Sequence, residues 1–248
     1  MKREFEEDES GALEIEIEYP YPVCDDDHCE SPEVAYKDIA PFLKRLAKSL
    51  NKKDADLLIY DPYFCEGSVV ERLRIFGFSK VYNRKEDFYS SDTLKPDYDV
   101  LVTNPPYSGD HVEKLIEFCL VRNKPFFLLL PNYVYMKPYY SKLTAPLQNM
   151  FYVSPVNRYL YTTPKGRRQK KSKSYTSPFP TFWYCYIPSN VAAAVIVDKP
   201  SQHVVVSRGL MRLPLSVCCD FDPRKKKEKN SLKRKKNKLR KKNSVAVV

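Results

Sequence analysis

Four short apolar runs, separated by amphipathic stretches, give the middle of the chain a regular pattern. They have the hydrophobic character of strands buried on both faces, and they span residues 57–60, 80–82, 98–103 and 125–131. Apolar residues at helical spacing follow the first run over 69–76 and the third run over 112–120. The order strand, helix, strand, strand, helix, strand predicts an α/β sheet with crossover helices.

The flanking segments add further elements. Apolar residues alternate with glutamates over 13–19, which predicts a half-buried strand. The tripeptide 31–33 is Ser-Pro-Glu, a helix start, and Pro41 is expected to kink or split the helix that follows. Two later strands, at 150–153 and 181–187, are predicted to close the sheet as an antiparallel pair.

Charge divides the chain into segments of opposite sign. Residues 1–33 carry a net charge of −11 and residues 224–242 carry +12, which leaves +10 on residues 34–223. A folded basic surface can attract an anionic partner, so nucleic acid is the first candidate. The expected organisation is an acidic arm at 1–27, a folded domain at 28–188, an extension at 189–223 and a disordered basic tail at 224–248.

The cellular context follows from cysteine usage and from the termini. Seven cysteines, an odd number, in a chain without a signal peptide favour a reducing compartment. The longest apolar runs, 126–130 and 191–197, fall short of the roughly 20 residues that span a bilayer, so no membrane partner is expected. The lysine-rich tract 225–242 resembles nuclear targeting sequences. We therefore expect a nuclear or nucleolar protein, with the cytoplasm as the alternative.

The tetrapeptide Asn104-Pro105-Pro106-Tyr107 directly follows the strand predicted at 98–103. A nitrogen conjugated into a purine ring or an amide is a weak nucleophile, so its lone pair must be localised before it attacks a sulfonium methyl group. The asparagine oxygen and the Pro105 carbonyl can each accept one amine hydrogen, and the two prolines hold that carbonyl in place. Tyr107 offers a plane on which a flipped base can stack. These four residues are predicted to be catalytic in N-methylation.

A second unusual segment, 61–68, follows the strand predicted at 57–60. Open α/β sheets bind ligands at the carboxyl ends of their strands, so this segment and the tetrapeptide are expected to lie close together. Gly67 is the only glycine in the segment, and the chain has just six glycines in all, with no Gly-x-Gly pair. A nicotinamide Rossmann site and a P-loop are therefore disfavoured.

The order of these segments resembles that of class I S-adenosylmethionine-dependent amino-methyltransferases, the group that includes adenine-methylating DNA and RNA enzymes. The resemblance covers about residues 28–187 and also includes the aromatic strand at 182–184. It implies a Rossmann-like sheet, mostly parallel with an antiparallel closing strand, helices on both faces, and S-adenosylmethionine as the cofactor. The cofactor-binding residues it implies are His28, Ser31, Pro32, Asp61, Pro62, Tyr63, Cys65, Gly67, Asn83, Asp87 and Phe88.

The chain departs from the family pattern at two points. Cys65 stands where the first glycine of the cofactor loop usually is. The segment after the second strand is compressed, so Asn83 and Glu86 both remain candidates for binding the cofactor ribose. Cys24, His28 and Cys29 have the chemistry of metal ligands, but they need a distant fourth ligand, and no metal is expected.

A polar loop between two late strands carries the predicted nucleic-acid-binding residues. They are Lys165, Arg167, Arg168, Lys170, Lys171 and Lys173. The leading interpretation is methylation of the exocyclic amino group of adenine in RNA, especially ribosomal RNA, ahead of DNA, with a protein partner possible for specificity. Guanine methylation is a sub-alternative. Protein glutamine methylation and a catalytically silent, methyltransferase-like RNA-binding scaffold are the other hypotheses.

Overall fold

The computed structural model describes residues 29–90, 95–162, 174–176, 179–196 and 204–208. The predicted acidic arm, with the strand predicted at 13–19, and the basic tail lie outside the described residues. The helices are α1 (Glu33–Ser49), α2 (Ser68–Ile75), α3 (His111–Arg122), α4 (Pro138–Thr144) and α5 (Ser189–Val195), with short 3-10 turns at Asp54–Asp56 and Val134–Met136. The strands are β1 (Ile59–Tyr60), β2 (Val81–Tyr82), β3 (Val100–Thr103), β4 (Phe126–Pro131), β5 (Met150–Pro155), β6 (Leu160–Thr162), β7 (Ser174–Thr176), β8 (Thr181–Tyr186) and β9 (Val204–Ser207).

Seven of the strands form one mixed sheet in the order β2-β1-β3-β4-β8-β5-β9, and β6 pairs with β7 in a separate hairpin. The pairs β2–β1, β1–β3 and β3–β4 are parallel. Strand β8 runs antiparallel between β4 and β5, and β9 runs antiparallel to β5. The predicted order of strands and helices and the predicted antiparallel closing pair are confirmed.

Helices cover both faces of the sheet, as the sequence indicated. Side chains alternate across each strand, so Phe127 faces one core layer and the adjacent Leu128 faces the other. The first layer packs against α1, α2 and α5, and the second packs against α3 and α4. The fold is therefore an α/β sandwich with two apolar cores.

Helix α1 continues through Pro41 from Glu33 to Ser49, so the expected split is wrong. Proline removes one backbone hydrogen bond, at a cost of roughly 3 kcal/mol in a helix interior. The apolar stripe of α1 compensates, because Ile39, Phe42 and Leu43 are completely buried against the sheet. Tertiary packing thus outweighs the local preference of proline.

Two elements from the predicted extension join the same core. Val195 of α5 is fully buried in the layer beside α1, and β9 adds a strand to β5 at the edge of the sheet. In the part of the chain that the structure describes, no helix is long and apolar enough to cross a membrane.

Candidate functional site

A small polar cavity lies where the parallel strands β1 and β3 end. It has a volume of about 30 Å³ and is lined by residues from 29–31, 61–69 and Asn104, together with Tyr36. Gly67 and Asn104, which the sequence placed at two separate strand ends, both line it. The cavity has room for about one or two water molecules.

Asp61 connects the ends of β1 and β3. Its Oδ1 accepts hydrogen bonds from the Thr103 hydroxyl at 2.6 Å and from the Tyr63 backbone N–H at 3.1 Å. Only 5% of Asp61 is exposed, and this burial raises the pKa of the carboxyl to about 7. Asp61 therefore changes its charge near neutral pH, inside the wall of the cavity.

Gly67 ends the loop and begins α2 in a left-handed conformation, with φ of +79°. A Cβ atom at this position would approach the Phe64 ring to 2.9 Å, which is closer than real Cβ contacts allow. The left-handed backbone therefore favours glycine here, and any other residue would also have to displace the Phe64 ring. The neighbouring Cys65 is half-buried, and burial raises the pKa of its thiol.

Glu30 fixes the segment that precedes α1 to the start of α2. Its carboxylate, 7% exposed, accepts hydrogen bonds from the Glu66 N–H at 2.9 Å and from the Ser68 hydroxyl. The Arg72 guanidinium pairs with Glu30 at 2.9 Å and also donates to the Ser31 carbonyl. This network forms one wall of the cavity.

Asn104 is held on both sides of its amide group. Its Nδ2 donates to the Cys29 carbonyl at 3.2 Å, and its Oδ1 accepts from the Tyr107 hydroxyl at 2.6 Å. The Leu129 carbonyl, 3.1 Å from the same hydroxyl, is a second acceptor for the single Tyr107 proton. Pro105 is buried between them. The amide of Asn104 is consequently oriented before any substrate binds.

The base of the β6–β7 hairpin lies beside this motif. Tyr161 of β6 is buried, contacts Thr181 of β8 through their hydroxyls at 2.6 Å, and interacts with the Tyr107 hydroxyl. The predicted nucleic-acid-binding residues, which follow β6 in the chain, all lie outside the described residues. They are Lys165, Arg167, Arg168, Lys170, Lys171 and Lys173.

The two ribose candidates differ in their contacts. The Asn83 amide donates to the carbonyls of Asp61 and Tyr63, at 3.2 Å and 3.3 Å. Its Oδ1 is buried and has no hydrogen-bond partner among the described residues. The Glu86 carboxylate instead accepts from the Tyr82 hydroxyl at 2.9 Å. Asn83 therefore has a free acceptor near the cavity, whereas Glu86 is engaged.

An aromatic wall extends from Tyr63 away from the cavity. The Tyr63 and Phe88 rings lie 5.4 Å apart, and the Tyr63 and Tyr89 hydroxyls form a hydrogen bond of 2.7 Å. The Tyr89 hydroxyl also contacts His111 Nδ1 at 2.5 Å. Asp87 accepts a hydrogen bond from the Tyr89 N–H at 2.8 Å. The predicted adenine-binding pair of Asp87 and Phe88 thus belongs to this wall.

The remaining predicted cofactor residues surround the cavity or lie outside the described part of the chain. Ser31 is 3% exposed, and its hydroxyl lies close to the hydroxyl of Tyr36. Pro62 is buried behind the loop, and Pro32 is the N-cap residue of α1. His28 lies outside the described residues. Within those residues, no group of three metal-ligating side chains is present.

Comparison with protein-family models, with curated proteins and with solved structures finds no match to this chain. The geometry and chemistry of the cavity are therefore the basis for a functional proposal.

Three residues of the site escaped prediction from the sequence. Tyr36 and Arg72 have no motif around them, and the ion pair between Glu30 and Arg72 joins positions 42 residues apart. Spacing in the sequence cannot reveal such a pair. The only signal was the position of Glu30 within the segment 28–32, two residues before Pro32, the N-cap residue of α1.

Proposed function

We propose that the protein is an S-adenosylmethionine-dependent N-methyltransferase that acts on the exocyclic amino group of adenine in nucleic acid, with RNA favoured over DNA. The observation that carries the proposal is the shared cavity of Gly67 and Asn104. A glycine loop after β1 and an asparagine after β3 meet there, as a cofactor loop and a catalytic motif must.

The sheet supports a Rossmann-like interpretation. Its first four strands in space are parallel, and β8 is the antiparallel strand that closes this part of the sheet. The site lies at the carboxyl ends of the parallel strands, where open α/β sheets bind their ligands.

The chemistry assigned to the motif follows from its hydrogen bonds. The Asn104 oxygen and the Pro105 carbonyl accept the two amine hydrogens and stabilise the positive charge that develops on nitrogen. Tyr107 currently donates to that same Asn104 oxygen at 2.6 Å. A turn of its hydroxyl toward the Leu129 carbonyl, 3.1 Å away, frees the oxygen for the substrate. The Tyr107 ring then holds the base.

The residues around the cavity suit S-adenosylmethionine, which would supply the electrophilic methyl group. The buried Asn83 Oδ1 has no hydrogen-bond partner among the described residues, and a ligand with hydroxyl or amino groups would satisfy it. Glycine at position 67 permits close approach of the backbone. Ligand pockets usually exceed about 300 Å³. The volume of about 30 Å³ is far below this, so the cavity must widen for the cofactor to bind.

Nucleic acid is the favoured substrate because of charge and position. The net charge of +10 on residues 34–223 attracts polyanions, and six of the basic residues fall between β6 and β7. The Tyr161 side chain connects that hairpin to Tyr107. A nuclear or nucleolar location, and a partner protein that selects the target nucleotide, are part of the same proposal.

The decisive experiment uses methyl-labelled cofactor with total RNA, total DNA and a release factor as separate substrates, followed by digestion to nucleosides or peptides. Labelled N6-methyladenosine from RNA is the expected product. Asn104→Ala should abolish it, whereas Asn157→Ala, at an exposed position away from the cavity, should not. Label only in glutamine of the release factor would replace the nucleic-acid proposal with protein methylation.

A catalytically silent RNA-binding scaffold is the second candidate, and the small cavity favours it specifically. With about 30 Å³ and the Asn104 oxygen already bonded to Tyr107, the site could be permanently closed. Calorimetric titration with S-adenosylhomocysteine separates the two: saturable binding that Gly67→Val removes supports the enzyme. Absence of binding by a protein that still binds RNA supports the scaffold.

A further inference from the structure

Among the described residues, the sheet ends at β2, and a groove crosses β1 and β2 beside this edge. The groove has a volume of about 300 Å³ and is also lined by 79–80, 83–84 and Asp97. Between β2 and β3, the described residues form neither a helix nor a strand.

The hydrogen-bond pattern shows which backbone groups face outward. In the parallel pair with β1, the Ile59 N–H donates to the Lys80 carbonyl at 2.9 Å and the Asp61 N–H donates to the Tyr82 carbonyl at 3.0 Å. Val81 is aligned with Ile59, so the N–H and C=O of Val81 and the N–H of Asn83 point away from β1. These groups form an edge that can pair with another strand.

The two faces of this edge differ in chemistry. On the α2 side, Val81 and Phe76 pack against the same apolar core, and Ile75 is 62% exposed. On the opposite side, Lys80 pairs with Asp56 at 2.8 Å. The Arg84 guanidinium on that side lies 4.7 Å from the centre of the Tyr82 ring. An added strand therefore needs one apolar face and one acidic face.

Residues 13–19 have this composition. Leu13, Ile15, Ile17 and Tyr19 fall on one face of an extended strand, and three glutamates at 14, 16 and 18 fall on the other. We propose that residues 13–19, which lie outside the described residues, pair with β2 as an additional strand of the sheet. Their glutamates then lie on the side of Arg84, and their apolar side chains extend the layer beside Val81.

The described part of the chain begins close enough to β2 for residues 13–19 to reach that strand. Glu30 accepts a hydrogen bond from the Glu66 N–H, and a Cβ on the adjacent Gly67 would lie 3.9 Å from Asn83 Oδ1. The described chain thus begins beside the carboxyl end of β2. The nine residues 20–28 can span up to about 30 Å when extended. A short connection keeps the carboxyl end of the added strand near the carboxyl end of β2. The added strand is therefore expected to run parallel to β2.

Amide hydrogen exchange, measured by NMR on the full chain, tests the proposal without any methyltransferase assay. The Val81 and Asn83 amides should exchange at least about tenfold faster in a variant that lacks residues 1–20, because their partner is removed. The Asp61 amide, which bonds to Tyr82, should not change. Faster exchange of these two amides in the deletion variant would support the pairing whether or not the protein is a methyltransferase.

Point variants keep the length and charge of the chain constant. Ile15→Pro with Ile17→Pro removes two N–H donors from the segment and should reproduce the effect of the deletion. Phe5→Pro with Gly11→Pro, outside the segment, should leave exchange unchanged. Equal exchange of Val81 in the full chain and the deletion variant would overturn the proposal. Protection that disappears on dilution would also overturn it, in favour of pairing with a second copy.

Discussion

The two halves of the sheet are built for different tasks. In the parallel half, β1 and β2 have two residues each, and the loops that follow β1 and β3 carry polar side chains into a cavity. In the antiparallel half, β5 and β8 have six residues each, and every residue of β8 is buried. The comparison indicates that stability resides mainly in the long antiparallel strands. The short parallel strands serve to place chemical groups.

The largest expected effect is on stability, at Trp183 in the antiparallel half. This side chain is 0% exposed, and its indole N–H donates to the Ala35 carbonyl at 3.1 Å. Trp183→Ala should lower the free energy of unfolding by about 3–5 kcal/mol in urea titration. Tyr82→Ala, at the edge of the parallel half, should cost clearly less. Equal losses at the two positions would contradict the division between the halves.

The next effect is on turnover, at Asn104 in the parallel half. Asn104→Ala should reduce kcat by about 10²–10³, because one preorganised acceptor of the transition state is lost. The melting temperature and the affinity for S-adenosylhomocysteine should stay close to those of the wild type. If the variant keeps full methylation activity, the assignment of the tetrapeptide is wrong.

The basic loop should affect affinity for RNA rather than chemistry. Replacing its six cations by glutamine should weaken binding at least about tenfold at low salt and should flatten the salt dependence, by up to about 0.7 in the log–log slope per lost phosphate contact. The changed residues are Lys165, Arg167, Arg168, Lys170, Lys171 and Lys173. Cofactor affinity, measured by calorimetry, should not change. If the slope of log affinity against log salt concentration does not change, RNA binds to another surface of the protein.

Asp61 should make stability depend on pH. Burial raises its pKa from 3.8 to about 7, so the folded protein binds this proton more tightly than the unfolded chain does. Its stabilising contribution is therefore complete below pH 3.8 and is lost as the pH rises toward 7. Relative to Asp61→Asn, which does not titrate, the wild-type melting temperature should fall by about 5–10 °C between pH 5 and pH 8. A parallel pH profile of the two proteins would argue against a buried, titrating carboxyl.

The smallest effect is expected from removing one oxygen atom at Tyr107. Tyr107→Phe keeps the ring but loses the hydroxyl that bonds to Asn104 and Leu129, at a cost of about 0.5–1.5 kcal/mol. We expect kcat to fall about threefold to tenfold with little change in KM. Tyr107→Ala should additionally raise KM, because the stacking plane is lost. Equal KM values for the two variants would mean that Tyr107 does not hold the base.

The sequence by itself determined the order of strands and helices, the antiparallel pair that closes the sheet, and the positions of the two loops at strand ends. These features depend on periodicity over neighbouring residues and on residues such as Gly67 and Pro105, whose backbone preferences are local. The approach of those loops to each other followed from a general rule of parallel sheets. Both line the same cavity.

Only the tertiary structure decided the remaining features, because they depend on contacts between distant positions. The continuation of α1 through Pro41 required the energy of an apolar core on one side of the helix. The ion pair of Glu30 with Arg72 and the hydrogen bond from Tyr107 to Asn104 required side chains to meet in space. The raised pKa of Asp61 required burial. The spacing of residues in the sequence does not show whether a side chain is buried, because burial depends on contacts with distant parts of the chain.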